Sequence, residues 1–105
     1  MPGENKKLGF ILFRGPDSQD VHTVVGLASA ALKRGIGVEL FLMHNAVLNA
    51  SVESFNELAD RGANITVCTL NADQLKAQRS EKFKYGSQYD HSNMIGDVDR
   101  YLAFV

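Results

Sequence analysis

Apolar residues follow two rhythms along the chain. Leu8-Gly9-Phe10-Ile11-Leu12-Phe13 is nearly unbroken, which is how a strand covered on both faces reads. Arg14-Gly15-Pro16 then makes a turn. Asp17 is placed to cap a helix, with Asp20 near its third position. Val21, Val24, Val25, Ala28, Ala31 and Leu32 recur at helical spacing, and Gly35 stops the helix after Lys33-Arg34. Ile36 to Met43 is a second strand. Val38, Leu40 and Leu42 share one face; Phe41 and Met43 cover the other. His44 to Ala50 is a loop with room for one helical turn. Ser51 caps a short helix that turns Val52, Phe55, Leu58 and Ala59 inward and ends at Arg61-Gly62. Asn64 to Cys68 is the third strand. Asn71 and Gln74 have capping-box spacing for a third helix running to about Gln78.

From Arg79 to Tyr89 the rhythm dissolves, and Arg79, Lys82, Lys84, Tyr85, Gly86 and Ser87 suggest a surface loop. A last helix covers about Gln88 to Asp97, with Met94, Ile95 and Val98 on or beside its inner face. Tyr101 to Val105 closes the chain as a fourth strand. Strands alternating with helices predict a three-layer α/β/α sandwich with a mainly parallel sheet. Residues 1–105 are expected to form a single domain, with about residues 1–6 as a flexible polar lead.

In such sheets ligands bind beyond the carboxyl ends of the strands. That rule brings Arg14-Gly15, His44-Asn45 and Cys68-Thr69 to one edge. Cys68 is the chain's one cysteine. It leaves a buried strand just before a helix start, where the helix dipole favours thiolate, the reactive form of sulfur. The plainer reading is a small buried hydrophobe. His44 is the nearest candidate to pair with the thiol or relay its proton; the alternative is a loop histidine bonded to backbone. His22 reads as a solvated residue of the first helix that could approach the same edge. His91, three before Met94, suits packing or an interface.

Composition narrows the chemistry. A net charge of −1 leaves no electrostatic footprint for nucleic acid. Lys82 and Lys84 between Phe83 and Tyr85 read as a solvated loop. One cysteine excludes an internal disulfide and fits a reducing compartment. No apolar run nears the ~20 residues of a membrane span, and the polar start lacks a signal peptide's apolar stretch. The expected location is the cytoplasm. Cys68, His44 and His22 would make three zinc ligands, but no paired spacing supports a metal. Arg14-Gly15-Pro16-Asp17-Ser18 is neither a Walker loop nor a dinucleotide fingerprint. No cofactor is expected.

In its order of segments the chain resembles the DsrE/DsrF-like sulfur-relay proteins, including the TusD-type subunits. Phe10 to Pro16, Leu32-Lys33-Arg34-Gly35 followed by Val38 to Leu42, Leu58 to Cys68, and Val98 to Phe104 carry the resemblance over nearly the whole length. The most specific part is the glycine, then strand, then cysteine, with Asp99-Arg100 before the closing strand. The resemblance implies a flavodoxin-like topology and a sulfur carrier. Cys68 would accept a sulfane sulfur as a persulfide and pass it to a partner, without a cofactor. It also implies donor and acceptor proteins and a homo- or hetero-oligomer, a trimer or hexamer. Many active members follow the cysteine with a segment ending in a basic residue and glycine. Here no basic residue comes before Lys76, and the Arg79–Gln88 stretch is unusual. The alternative is a non-catalytic assembly subunit or small-molecule binding module of the same fold.

Overall fold

The computed structural model describes residues 6–105. Residues 1–5, most of the lead expected to be flexible, lie outside the described residues. Five parallel strands form one sheet in the order β4-β3-β2-β1-β5. They are β1 (Lys7–Leu12), β2 (Gly37–Leu42), β3 (Asn64–Cys68), β4 (Lys84–Gly86) and β5 (Arg100–Phe104). Between them run α1 (Gln19–Lys33), a 3-10 segment (His44–Ser51), α2 (Glu53–Asp60), α3 (Thr69–Gln74) and α4 (Gln88–Asp97). The β1–β2 ladder pairs Leu8 with Val38 through Leu12 with Leu42.

Two faces follow from alternation along β2. Val38, Leu40 and Leu42 are fully buried on one side, with Phe10, Leu12, Ile65 and Val67 also in the core. Phe41 takes the other side, where its ring lies 5.0 Å from that of His91 on α4. Each large side chain fully buried here contributes roughly 1.5–3 kcal/mol. Val21, Val24, Ala28 and Ala31 of α1, and Phe55 and Leu58 of α2, bury the helical stripes. Parallel crossovers are right-handed. The chain steps from β1 to β2, β3 and β4 in one direction across the sheet, so its first three connections lie on one face. It then returns past β1 to β5, which sends α4 to the opposite face. That reversal makes the three layers.

Asn49 is the one polar side chain of the core among the described residues, at 0% exposure. Its Nδ2 donates to Arg14 O at 3.1 Å and fastens the 3-10 segment to the β1–α1 turn. Its Oδ1 has no hydrogen-bond partner among the described residues.

Several local expectations change. The sheet has a fifth strand, β4, inside the stretch read as a loop. Phe83 is buried and Tyr85 half-buried while Lys84 is exposed, so the two aromatics were an alternating strand signal. Arg79 covers the Tyr85 ring at 4.4 Å. The strand order is also not the flavodoxin-like 2-1-3-4-5; β2 and β3 follow β1 outward, and only β5 lies on its other side. Ser18, not Asp17, caps α1, accepting from Asp20 N at 3.2 Å. Ser51 ends the 3-10 segment, and Val52 precedes α2 without a side-chain cap. The third helix begins directly at Thr69, so Cys68 itself is its N-cap residue and Asn71 lies inside it. Ile95 is 45% exposed; Met94 alone is buried on α4. Among the described residues no helix is long and apolar enough to cross a membrane.

Ser87 and Asp90 close a capping box at the start of α4. Ser87 Oγ accepts from Tyr89 N at 3.2 Å, and the Asp90 carboxylate accepts from Ser87 N at 2.8 Å. Gly86 makes room for it, because a Cβ there would run into the Asp90 carboxylate. With one buried residue, α4 has little packing to compensate for a lost cap. Ser87→Ala is therefore expected to cost about 1 kcal/mol. Urea denaturation should show a lower midpoint with an unchanged slope; an unmoved midpoint would refute the role given to the cap.

Candidate functional site

The topology opens a crevice at the carboxyl edge of the sheet. The chain leaving β3 turns to one face as α3, and the chain leaving the adjacent β4 turns to the other as α4. Neighbouring strands whose connections part in this way leave a gap beyond their ends. A cleft of about 890 Å³ lies there, and Met43, His44, Cys68 to Asn71, Asp73, Gly86 to Gln88 and Asp90 line it. It is far larger than a thiol needs, and open to solvent.

Cys68 stands at its floor. The residue is 7% exposed and lies opposite Gly86 in the β3–β4 register. Its backbone is extended, at φ −64° and ψ 113°, and the next residue begins α3. The first backbone N–H groups of α3 therefore follow the sulfur-bearing residue directly.

His44 enters from the end of β2 and lines the same cleft. Met43 N donates to Leu12 O at 3.0 Å, which continues the sheet ladder one residue beyond β2. His44 then breaks the strand with a left-handed backbone, φ 51°, a conformation uncommon for a residue with a side chain. Its N–H donates to Asn71 Oδ1 at 2.8 Å, and its ring lies 4.7 Å from that of Phe13. The two residues proposed from sequence thus share one wall and floor. His22 does not join them; it is exposed on α1 and is not among the residues that line the cleft. Among the described residues no three His, Cys, Asp or Glu side chains gather as a metal-binding group.

The cleft carries acidic and apolar groups. Asp73 is held by Arg79 at 3.2 Å, and Asp90 serves the capping box. Among the described residues no lysine or arginine lines it. Leu70, 65% exposed, stands at its rim. The wall formed by Gly86, Ser87, Gln88 and Asp90 was missed from sequence because β4 was read as loop. Its signal was the Ser87-x-x-Asp90 spacing ahead of α4.

Gln88 links this wall to the back of α4. Its Nε2 donates to Met43 Sδ at 3.2 Å, and its Oε1 lies 3.1 Å from His91 Nδ1. An amide oxygen only accepts, so in the neutral ring Nδ1 carries the proton and Nε2 accepts from the Tyr101 hydroxyl at 2.8 Å. Burial lowers the His91 pKa and raises that of Tyr101, since each would lose hydration on ionising. His91 is thus a packing residue, as its spacing suggested.

A thiol and an imidazole at the strand ends of a parallel α/β/α sandwich define the class of protein to compare. The DsrE/DsrF-like family model matches residues 6–104, and the chain belongs to that family. Two solved structures share the fold. The YchN protein of E. coli superposes with a TM-score of 0.81 at 16% identity, covering 94% of this chain and 99% of its own. A conserved protein of unknown function from Bacteroides thetaiotaomicron superposes with a TM-score of 0.77 at 13% identity, covering 99% of each chain. No curated protein matches the chain.

The His91 environment has a pH consequence. Its folded pKa lies below the ordinary value of about 6.5, so below that pH the unfolded chain binds the extra proton first. The stability contribution is fully present above the unfolded value and is lost as pH falls from there through the folded one. Melting temperature should drop across that window, and His91→Gln should flatten the drop. Identical pH profiles for the two proteins would disprove it.

Proposed function

We propose that this protein is a sulfur carrier that takes a sulfane sulfur onto Cys68 and hands it to a partner. The observation that carries the reading is that Cys68 and His44 both line one open cleft at the carboxyl edge of the sheet. Family membership supports it. The carrier is taken to act as one domain, residues 1–105, in the cytoplasm. Its donor and acceptor are proteins, and it works as a homo- or hetero-oligomer.

The chemistry is thiol–persulfide exchange. The Cys68 thiolate attacks the outer sulfur of a donor persulfide, forming a new S–S bond as the donor's S–S bond breaks. The donor's inner sulfur leaves with the bonding pair as a thiolate. His44 takes the Cys68 proton and returns it to that leaving sulfur, so the step is redox-neutral and needs no cofactor. An acceptor thiolate then repeats the attack on the outer sulfur of Cys68. The acidic and apolar lining suits a persulfide carried on a larger partner better than a small free anion, which it would repel.

A second reading, a non-catalytic assembly or small-molecule binding module, draws on the low exposure of Cys68 and on a cleft that no lysine or arginine lines among the described residues. One experiment separates the two. Incubated with a persulfidated donor protein, the carrier should gain the mass of one sulfur atom, and Cys68→Ser should gain none. A wild-type protein that stays unmodified, and whose thiol alkylates only after unfolding, would favour the binding module.

A further inference from the structure

One side chain joins the two strand-end segments of the cleft. Asn71, in α3, accepts the His44 N–H on Oδ1 at 2.8 Å, 27 residues away along the chain. Its Nδ2 donates to Gln74 Oε1 at 3.2 Å, which fixes the end of the amide that faces His44. His44 opens the 3-10 segment, and an opening residue's N–H has no acceptor within its own helix. Asn71 supplies that acceptor from across the cleft. The backbone that presents this N–H is left-handed, so it persists only where its surroundings hold it. On the other side the Phe13 ring backs the imidazole. The opening turn of the 3-10 segment, ahead of its buried residues Ala46, Val47, Asn49 and Ala50, is thereby fixed to α3.

We propose that Asn71 is a positioning residue. It holds the left-handed His44 turn against the segment that begins at Cys68, and so sets how the imidazole meets the thiol. The proposal rests on the carrier reading for what the imidazole does there. A purely structural Asn71 would stabilise α3 through Gln74 and act no differently with or without His44.

The test is the native-state alkylation rate of Cys68 by iodoacetamide, measured across the imidazole and thiol titration ranges. The quantity read is the ratio of rates with His44 intact and with His44→Ala, taken in each Asn71 background. Other acidic groups at the cleft, Asp73 and Asp90, are common to both members of each pair and cancel. In the wild-type background the ratio should be roughly tenfold, within what misplacing a reacting group costs. In Asn71→Ala it should collapse to about one. In Asn71→Asp, which keeps the acceptor oxygen, it should return. If Asn71→Ala fails to fold, Asn71→Gln, which displaces the amide by one methylene, should show the same collapse. Amide hydrogen exchange at His44 should speed up in the variants that lose the ratio. A ratio that survives Asn71→Ala, or a wild-type ratio of one, overturns the proposal. Sulfur uptake is scored separately by mass. Normal uptake with an unchanged ratio sinks the positioning role alone; no uptake with a collapsing ratio sinks the carrier reading and upholds the tether.

Discussion

The constraint on which the rest depends is the handedness of parallel crossovers. Three right-handed connections carry the chain from β1 to β4 across one face of the sheet. The only remaining place beside β1 lies behind the chain's line of travel. Reaching it with the same handedness forces α4 onto the far face. The cleft follows from that reversal, since β3 and β4 are the neighbouring strands whose exits part. A sheet that continued outward to a fifth strand beyond β4 would have no gap above Cys68.

Within that frame the sulfur sits where two demands meet. Strand β3 is buried at Ile65 and Val67, which fixes the backbone at its end to the rigid centre of the sheet. The next residue already belongs to a helix, which turns the chain away and leaves the strand end uncovered. Cys68 is thus held by the core yet lines open space. The Asn71 bond and the Phe13 ring do the same for His44, whose own segment is a 3-10 coil with no regular ladder to brace it.

The strands β1 to β3, the helices α1, α2 and α4, and the carboxyl-edge location of Cys68 and His44 were legible because burial imposes clear periods on their sequences. Val38, Leu40 and Leu42 against Phe41 is such a case: alternation alone separates the two faces of the strand. What escaped was governed by other forces. β4 is three residues long and pairs on one side only, so its period spans too few residues to stand out from a charged loop. Asn71 looked like a cap because capping and long-range bonding use the same amide, and sequence spacing reports only the local partner. Ser18 and Asp17 are both good caps; the turn at Gly15 decided between them, with Ser18 N bonded to Gly15 O at 3.0 Å. The strand order, finally, is set by which edge remains free, a property of the assembled sheet.

The shortness of β4 has a further consequence. One wall of the cleft, Gly86 to Asp90, hangs on a three-residue edge strand and a helix with one buried side chain, whereas the opposite wall is anchored in the central ladder. The two walls of the cleft are therefore braced by very different amounts of buried side chain, and local opening free energy follows such packing. The weakly braced wall stands directly opposite Cys68 in the β3–β4 register, so the firm and the soft halves of the sheet edge meet at the sulfur-bearing residue.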